Sequence, residues 1–456
     1  MGNNQTLAQM SQALESGQTS ARALVETSLE AIDNNASDGG PVFIRVDADQ
    51  ARASADYMDA LRKAGRAPSR FAGIPFSVKD LFDQAGQVTT AGSVVRAGAD
   101  VAERDAVAIE RLKLAGFVAL GRTNMTEFAY SGVGLNPHYG TPKSIYDRDT
   151  GRIPGGSSSG AAVSVADGTC GLAIGTDTGG SCRVPAAFNG IVGYKPSHGR
   201  VPLDGVFPLA TSFDSVGPLA RSVQCCASAD ALMSRDWPEN RDATIAERPL
   251  KGLRLGVPQS LVLDDLDDDV AMVFGAALTR LACHGVEIVD VTFTELEELA
   301  AMNAGGGIAA VEAYEVHSHG LATQGPAFDQ RVRQRILAGA KISAHDFLAL
   351  KTKRDKMINK ADALMAGLDG FIMPTCPHIP AAISDLDDDA DYGRINLQAL
   401  RNTFVGNFLN RCAISVPAHE QGRAPVGLML MAPLFDDQAL FSVAKAVEAL
   451  VSHKTE

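Results

Sequence analysis

Apolar residues recur along this chain with two different periods. Leu7, Met10 and Leu14 share one helical face, Gly17 stops that helix, and Ser20 is placed to cap a second through ARALVETSLEAID (21–33). From 72 to 122 the rhythm changes, with the short apolar runs GIPFSV (73–78) and FVALG (117–121) flanking the helical pattern AVAIERLKLAG (106–116). Strands joined by helical crossovers give that alternation, so the fold class is α/β. Between about 130 and 220 the periodic segments give way to Gly and Ser, in a stretch too apolar to be a disordered linker. A long irregular segment inside a compact enzyme is usually where function sits.

The sheet pattern then resumes. LKGLRLGVP (250–258) predicts a strand, DDLDDDVAMVFGAALTRLACHG (264–285) a helix whose acidic start suits its macrodipole, and 294–368 a helical region. GFIMPTCP (370–377), RCAISVPA (411–418) and PVGLMLMA (425–432) predict strands before the amphipathic helix DDQALFSVAKAVEALV (436–451). There is no internal repeat and no linker, which favours one domain over 1–456, with 1–60 as a helical N-terminal arm that packs on the body or on a partner.

Composition narrows the function. The chain has 456 residues, 45% hydrophobic, with 44 glycines, enough for a large core and many tight turns. A net charge of −13 with scattered Lys and Arg offers no basic stripe for phosphates, which argues against nucleic-acid binding. Seven cysteines without a C-x-x-C pair suggest buried free thiols rather than a zinc site or disulfides. The N-terminal segment lacks the pattern of an export signal and no apolar run reaches membrane-spanning length, so the expected location is the cytoplasm.

Two Gly/Ser clusters could carry chemistry: Gly155 to Gly160 and Gly175 to Arg183. Either could be a plain turn. The first is not followed by G-K-[ST], which speaks against a phosphate cradle. It formally matches the G-x-S-x-G elbow with Ser158 as nucleophile, but no strand leads into it and no histidine stands out as the base. In the second, Thr178, Gly179, Gly180 and Ser181 allow the backbone to curl until several N–H groups converge beside a hydroxyl, as an acyl-transfer oxyanion requires. A serine still needs a base, and the sequence suggests a lysine: Lys79 ends the apolar run 73–78, which could carry it inside, where burial would leave part of it neutral, the plain alternative being a surface lysine beside Asp80.

GIPFSVKD, GRTNMTEFAYSG, RIPGGSSSGAA, GTDTGGSCRVPAAFNGIVGYKPS and SFDSVGPLARSV, in that order, resemble the amidase signature family. The resemblance covers essentially the whole chain and is densest over 72–223, the signature catalytic core. It implies a single large α/β domain whose mixed, twisted sheet is covered on both faces by helices. It also implies Lys79 as general base, Ser157 as relay serine behind a cis Gly156–Ser157 peptide, and Ser181 as nucleophile. The amides of Thr178, Gly179, Gly180 and Ser181 would form the oxyanion hole, Tyr130, Ser131 and Gly132 would contact the substrate amide, and Asp177 and Arg183 would brace the loops. No metal or organic cofactor is implied.

Two positions depart from the family pattern. Cys182 stands where a small aliphatic residue is commoner and is read as a packing thiol. Asn410-Arg411-Cys412-Ala413 replaces a Gly-Leu-Pro-Ala turn, with Arg411 read as a structural variant or a substrate-side cation. The implied activity is hydrolysis of a small carboxamide, biuret-like, aliphatic or aryl, releasing ammonia or an amine. The alternatives are the glutaminase component of a tRNA-dependent amidotransferase, its A subunit, and a non-catalytic scaffold. The resemblance further implies a homodimer and, as in some relatives, a small accessory subunit at the N-terminal arm.

Overall fold

A computed structural model of the protein describes residues 4–236 and 245–452, so the first three residues of the predicted arm lie outside the described residues. Eleven strands pair into one sheet: β1 (Phe43–Val46), β2 (Pro75–Lys79), β3 (Val118–Thr123), β4 (Leu172–Thr176), β5 (Val192–Lys195), β6 (Val216–Ala220), β7 (Arg254–Pro258), β8 (Glu287–Val291), β9 (Gly370–Pro374), β10 (Cys412–Pro417) and β11 (Gly427–Ala432). Their order is β1-β3-β2-β4-β6-β5-β10-β11-β9-β7-β8. β2 runs parallel to β3 and β4, and β7 parallel to β8 and β9, whereas the strands between β4 and β9 pair antiparallel, so the sheet is mixed.

Every residue of β2, β4, β5, β6, β9 and β11 is buried, which requires cover on both faces. The alternation of side chains divides that cover into two cores. Leu172 and Ile174 of β4 point into the larger one, with Val216 and Ala220 of β6; Ala173 and Leu219 point into the other, against Ala161, Ala162 and Val165 of the helix Ser159–Ala166. The edge strands β1 and β8 keep exposed residues, as sheet margins do.

The N-terminal segment forms the helices Leu7–Glu15 and Ala21–Gly39, the second capped by Ser20 accepting from the Ala23 N–H. It is not helical throughout, because Phe43–Val46 turns back to pair antiparallel with β3 and become the sheet's edge. The region 294–368 breaks into separate helices, chiefly Gly307–Gln324, Gln330–Gly339 and Ala344–Met365. Two glycine-rich turns interrupt it: Gly305 and Gly306 in the left-handed region, then Gly325-Pro326. Among the described residues no helix is long and apolar enough to cross a membrane.

Candidate active site

Lys79 is the last residue of β2, a central strand with no exposed position, so the sheet carries the amine inward. It is fully buried, and its Nζ donates to Ser157 Oγ at 2.8 Å and to Thr176 Oγ1 at 2.8 Å. Burial brings its pKa down from 10.5 to about 7, with the acidic neighbours Asp177 and Asp214 pulling the other way. Near neutrality much of this amine is therefore uncharged and able to take a proton.

Ser157 lies in the irregular run before the helix Ser159–Ala166, and the Gly156–Ser157 peptide is cis. Its carbonyl accepts from the Thr126 N–H at 3.2 Å, and the neighbouring Ser158 N–H donates to the Ser181 carbonyl at 3.3 Å. The backbone thus brings the two serine loops together. Their hydroxyls are not hydrogen bonded to each other, so of the two links in the expected proton path the structure forms the first, from Lys79 to Ser157.

Ser181 follows β4 by a short turn. Among the described residues the amides of Thr178, Gly179, Gly180 and Ser181 donate to no protein acceptor, whereas the next, that of Cys182, bonds Asp177 Oδ2 at 3.1 Å. Four successive free donors beside a hydroxyl have the form of an anion nest. Gly180 has φ +140°, and a Cβ there would lie 2.1 Å from Thr403 Oγ1, so only glycine permits this turn against the helix Asp389–Phe408.

The turn is held from below. Asp177 receives Arg183 Nε at 3.0 Å and Nη2 at 2.8 Å, plus Asn407 Nδ2 at 2.9 Å, all fully buried. Burial pushes the Asp177 carboxyl up, but the Arg183 charge and these bonds outweigh it and hold the pKa at about 2. Arg183 also donates to the Thr403 carbonyl at 2.8 Å, which ties the turn to the neighbouring helix.

Tyr130, Ser131 and Gly132 form a strip against the loop that carries Ser157. The Gly132 carbonyl accepts from the Gly156 N–H at 2.7 Å, while its own N–H and the Ser131 hydroxyl both donate to Asn396 Oδ1, at 2.8 and 3.0 Å. Leu400 lies over both Gly132 and Gly179, so this strip and the 178–181 turn face the same helix.

Several groups went unread in the sequence. Thr176 is the second acceptor at Lys79. Lys195, buried at the end of β5, donates to the Pro196 carbonyl at 2.8 Å, and burial brings it down to about 8. Asp214 accepts from Thr178 Oγ1 at 2.5 Å and from the N–H groups of Leu209 and Ala210, both at 3.0 Å. Burial raises its pKa to about 6. The available signal was the SFDSVGP run, which marked the segment without revealing that its carboxylate turns onto Thr178. Asp214→Asn removes a negative charge that raises the Lys79 pKa, while its amide oxygen can keep the Leu209 and Ala210 N–H groups and its NH2 can turn to the Thr178 hydroxyl. We expect the acidic limb of the pH–rate profile to move to lower pH while the plateau kcat falls by no more than roughly 10-fold, as charge-assisted bonds become neutral ones, read by steady-state kinetics from pH 5 to 9.

The alternatives resolve locally. The Ser158 hydroxyl donates to the Thr176 carbonyl at 3.3 Å, with no histidine beside it, so it is not an elbow nucleophile. Cys182 packs with Ala173, Ala186 and Leu219, and burial pushes its thiol up. Six of the seven cysteines are buried; Cys283 is exposed, against expectation, because it ends the helix Asp268–Cys283 on its solvent side. Arg411 bonds Asp362 Oδ1 at 2.5 Å and the Ile358 carbonyl at 2.9 Å, which favours its structural reading.

Comparison with known proteins agrees with this architecture. A family model described as Amidase matches residues 23–441. The chain belongs to the amidase signature family. It is 34% identical over 406 residues to a 2-amino-5-chloromuconic acid deaminase of Comamonas testosteroni, covering 89% of this chain and 87% of that protein. It is also 34% identical over 477 residues to the A subunit of the glutamyl-tRNA(Gln) amidotransferase from Chromohalobacter salexigens, covering 97% and 95%. A solved amidase structure superposes with a TM-score of 0.87 at 29% identity, over 98% of this chain and 100% of that one. A peptide amidase in complex with chymostatin gives 0.82 at 25%, over 97% of each. This amidase-family chain is accordingly an amidohydrolase, an enzyme of carbon–nitrogen bond cleavage.

Proposed function

We infer that this amidase hydrolyses a small carboxamide through Lys79, Ser157 and Ser181 by way of an acyl-enzyme. The observation that carries the reading is the buried Lys79 amine, 2.8 Å from Ser157 Oγ and with a pKa of about 7. Neutral Lys79 takes the Ser157 proton as Ser157 takes that of Ser181, and Ser181 Oγ bonds to the amide carbon. The Ser157–Ser181 contact closes when substrate arrives, since catalytic hydrogen bonds commonly tighten only in the complex. The carbonyl oxygen, now negative, falls among the amides of residues 178–181, each donor lowering the barrier by about 3 to 4 kcal/mol.

Collapse of this intermediate breaks the C–N bond, with Ser157 returning a proton to the departing nitrogen, so ammonia or an amine leaves. Water then attacks the ester by the same path reversed, giving the carboxylic acid and free Ser181. The expected result is stoichiometric ammonia release from a small primary amide by the purified chain alone, measured over biuret, malonamide, indoleacetamide, glutamine and aliphatic amides. Fluorophosphonate labelling mapped to Ser181 accompanies it; a chain that releases ammonia without an adduct at Ser181 would refute the triad.

The reading as an amidotransferase component is supported by similarity over nearly the full length to such proteins. It requires glutamine preference and dependence on partner proteins, which the same assay separates. A homodimer, and an accessory subunit on the N-terminal arm, belong to the proposal and are read by light scattering. So does a cytoplasmic location, where the chain's seven cysteines stay reduced.

A further inference from the structure

Beside the Tyr130–Gly132 strip the chain builds a second electropositive corner. Gly305, Gly306 and Gly307 lead into the helix Gly307–Gln324, with Gly306 as its N-cap at φ +94° and no side-chain cap. No side-chain cap bond satisfies the first-turn amides of this 18-residue helix, so its positive dipole end is uncapped. A Cβ built on Gly306 would lie 3.5 Å from Tyr130 Oη, which places the phenol beside the start of this helix. Tyr130 is only 5% exposed, burial raises its pKa and keeps the proton in place, and its hydroxyl bonds no described residue.

Arg335, on the helix Gln330–Gly339, completes the corner. Its guanidinium lies over the Tyr130 ring, 4.4 Å from the centroid, with no hydrogen bond or ion pair among the described residues. Its Nη1 is buried without a partner. Glu127, a buried acid three residues before Tyr130, is already occupied: it meets Ser93 Oγ at 2.6 Å, His138 Nε2 at 2.8 Å and the Asp329 N–H at 2.7 Å. That last bond fastens the N-cap of the Arg335 helix to the strip, so the arrangement is built in. An unpaired guanidinium, a protonated phenol and an open helix N-terminus all favour one thing, a negative charge.

We propose that this corner receives a carboxylate, so that the substrate is a carboxylate-bearing amide, held by Arg335, Tyr130 and the first turn of Gly307–Gln324. The inference rests on the amidase reading above and gives its substrate class. A guanidinium whose face lies on a ring offers a ligand only its edge, and two parallel N–H groups on that edge match a planar carboxylate. The corner lies close to the chemistry: Tyr130 is two residues from Gly132, which bonds Gly156 beside Ser157.

The test compares the monoamide of a short dicarboxylic acid, succinamic acid, with its neutral counterpart succinamide. Wild-type enzyme should favour the acid in kcat/KM by roughly 10- to 100-fold, mostly through KM, and Arg335→Gln should collapse that ratio. Arg335→Lys, which keeps the charge without the fork, should fall between, and it decides the matter by the same ratio if Arg335→Gln does not fold. Equal or better use of the neutral amide by wild-type enzyme, or a ratio unmoved by either variant, overturns the proposal while leaving the amidase reading intact. Calorimetry on Ser181→Ala protein separates the two ideas. Succinamate binding that Arg335→Gln abolishes supports the corner even if no amide is turned over, and absence of succinamate binding refutes it.

Discussion

Ser181→Ala lowers kcat/KM on the preferred amide by on the order of 10⁵-fold, and Lys79→Ala by nearly as much, because members of one proton path fail together. The two variants separate in their pH behaviour. In the wild type the acid limb of the rate profile reports the Lys79 amine, which must lose its proton to act, so activity rises through about pH 7 and levels above it. Any residual activity of Lys79→Ala should have lost that limb. Steady-state ammonia release from pH 5 to 9 measures both, and near wild-type activity for Lys79→Ala removes the assigned base. The lowered pKa also has a sign for stability. Between about pH 7 and 10.5 the unfolded chain holds a proton at Lys79 that the folded protein does not, so this residue's contribution grows as pH rises across that window.

The second large effect is on the fold. Asp177→Ala leaves Arg183 as a buried cation without its carboxylate and strips acceptors from Asn407 and the Cys182 N–H, at a cost of roughly 3 to 5 kcal/mol. Arg183→Met leaves the Asp177 carboxylate stranded with a similar loss. The double variant Asp177→Leu/Arg183→Met should lose less than the sum of the two, since no lone charge remains. Urea unfolding of the three variants checks this, and strictly additive losses would mean the pair is not a unit. Catalysis is expected to fall in all three, because the pair fixes both ends of the turn whose amides we propose as the oxyanion donors.

How far these sites could be read in advance depended on the kind of information involved. Lys79 and Ser181 were legible because their surroundings are local: an apolar run ending in lysine, and a Gly-Gly-Ser turn after a strand. Asp214 was not, since it lies 36 residues from Thr178 and meets it only through the antiparallel pairing of β4 and β6. Asn396, Thr403 and Asn407 come from a helix that in sequence is unremarkable and polar, and they reach the site only because that helix lies across it. Arg335 is one of three arginines on a short amphipathic helix, with no sign of which lacks a partner.

Sequence alone pointed to the α/β class and the family and named the three residues proposed to move the proton, because period, turn chemistry and motif order are properties of neighbouring residues. Tertiary structure decided the position of β1 at the sheet edge, the amine's pKa, the bracing of the turn from the far helix, and the unpaired cation beside Tyr130. Each of these depends on dielectric surroundings or on contacts between distant segments. Burial and long-range pairing exist only once the chain has closed on itself.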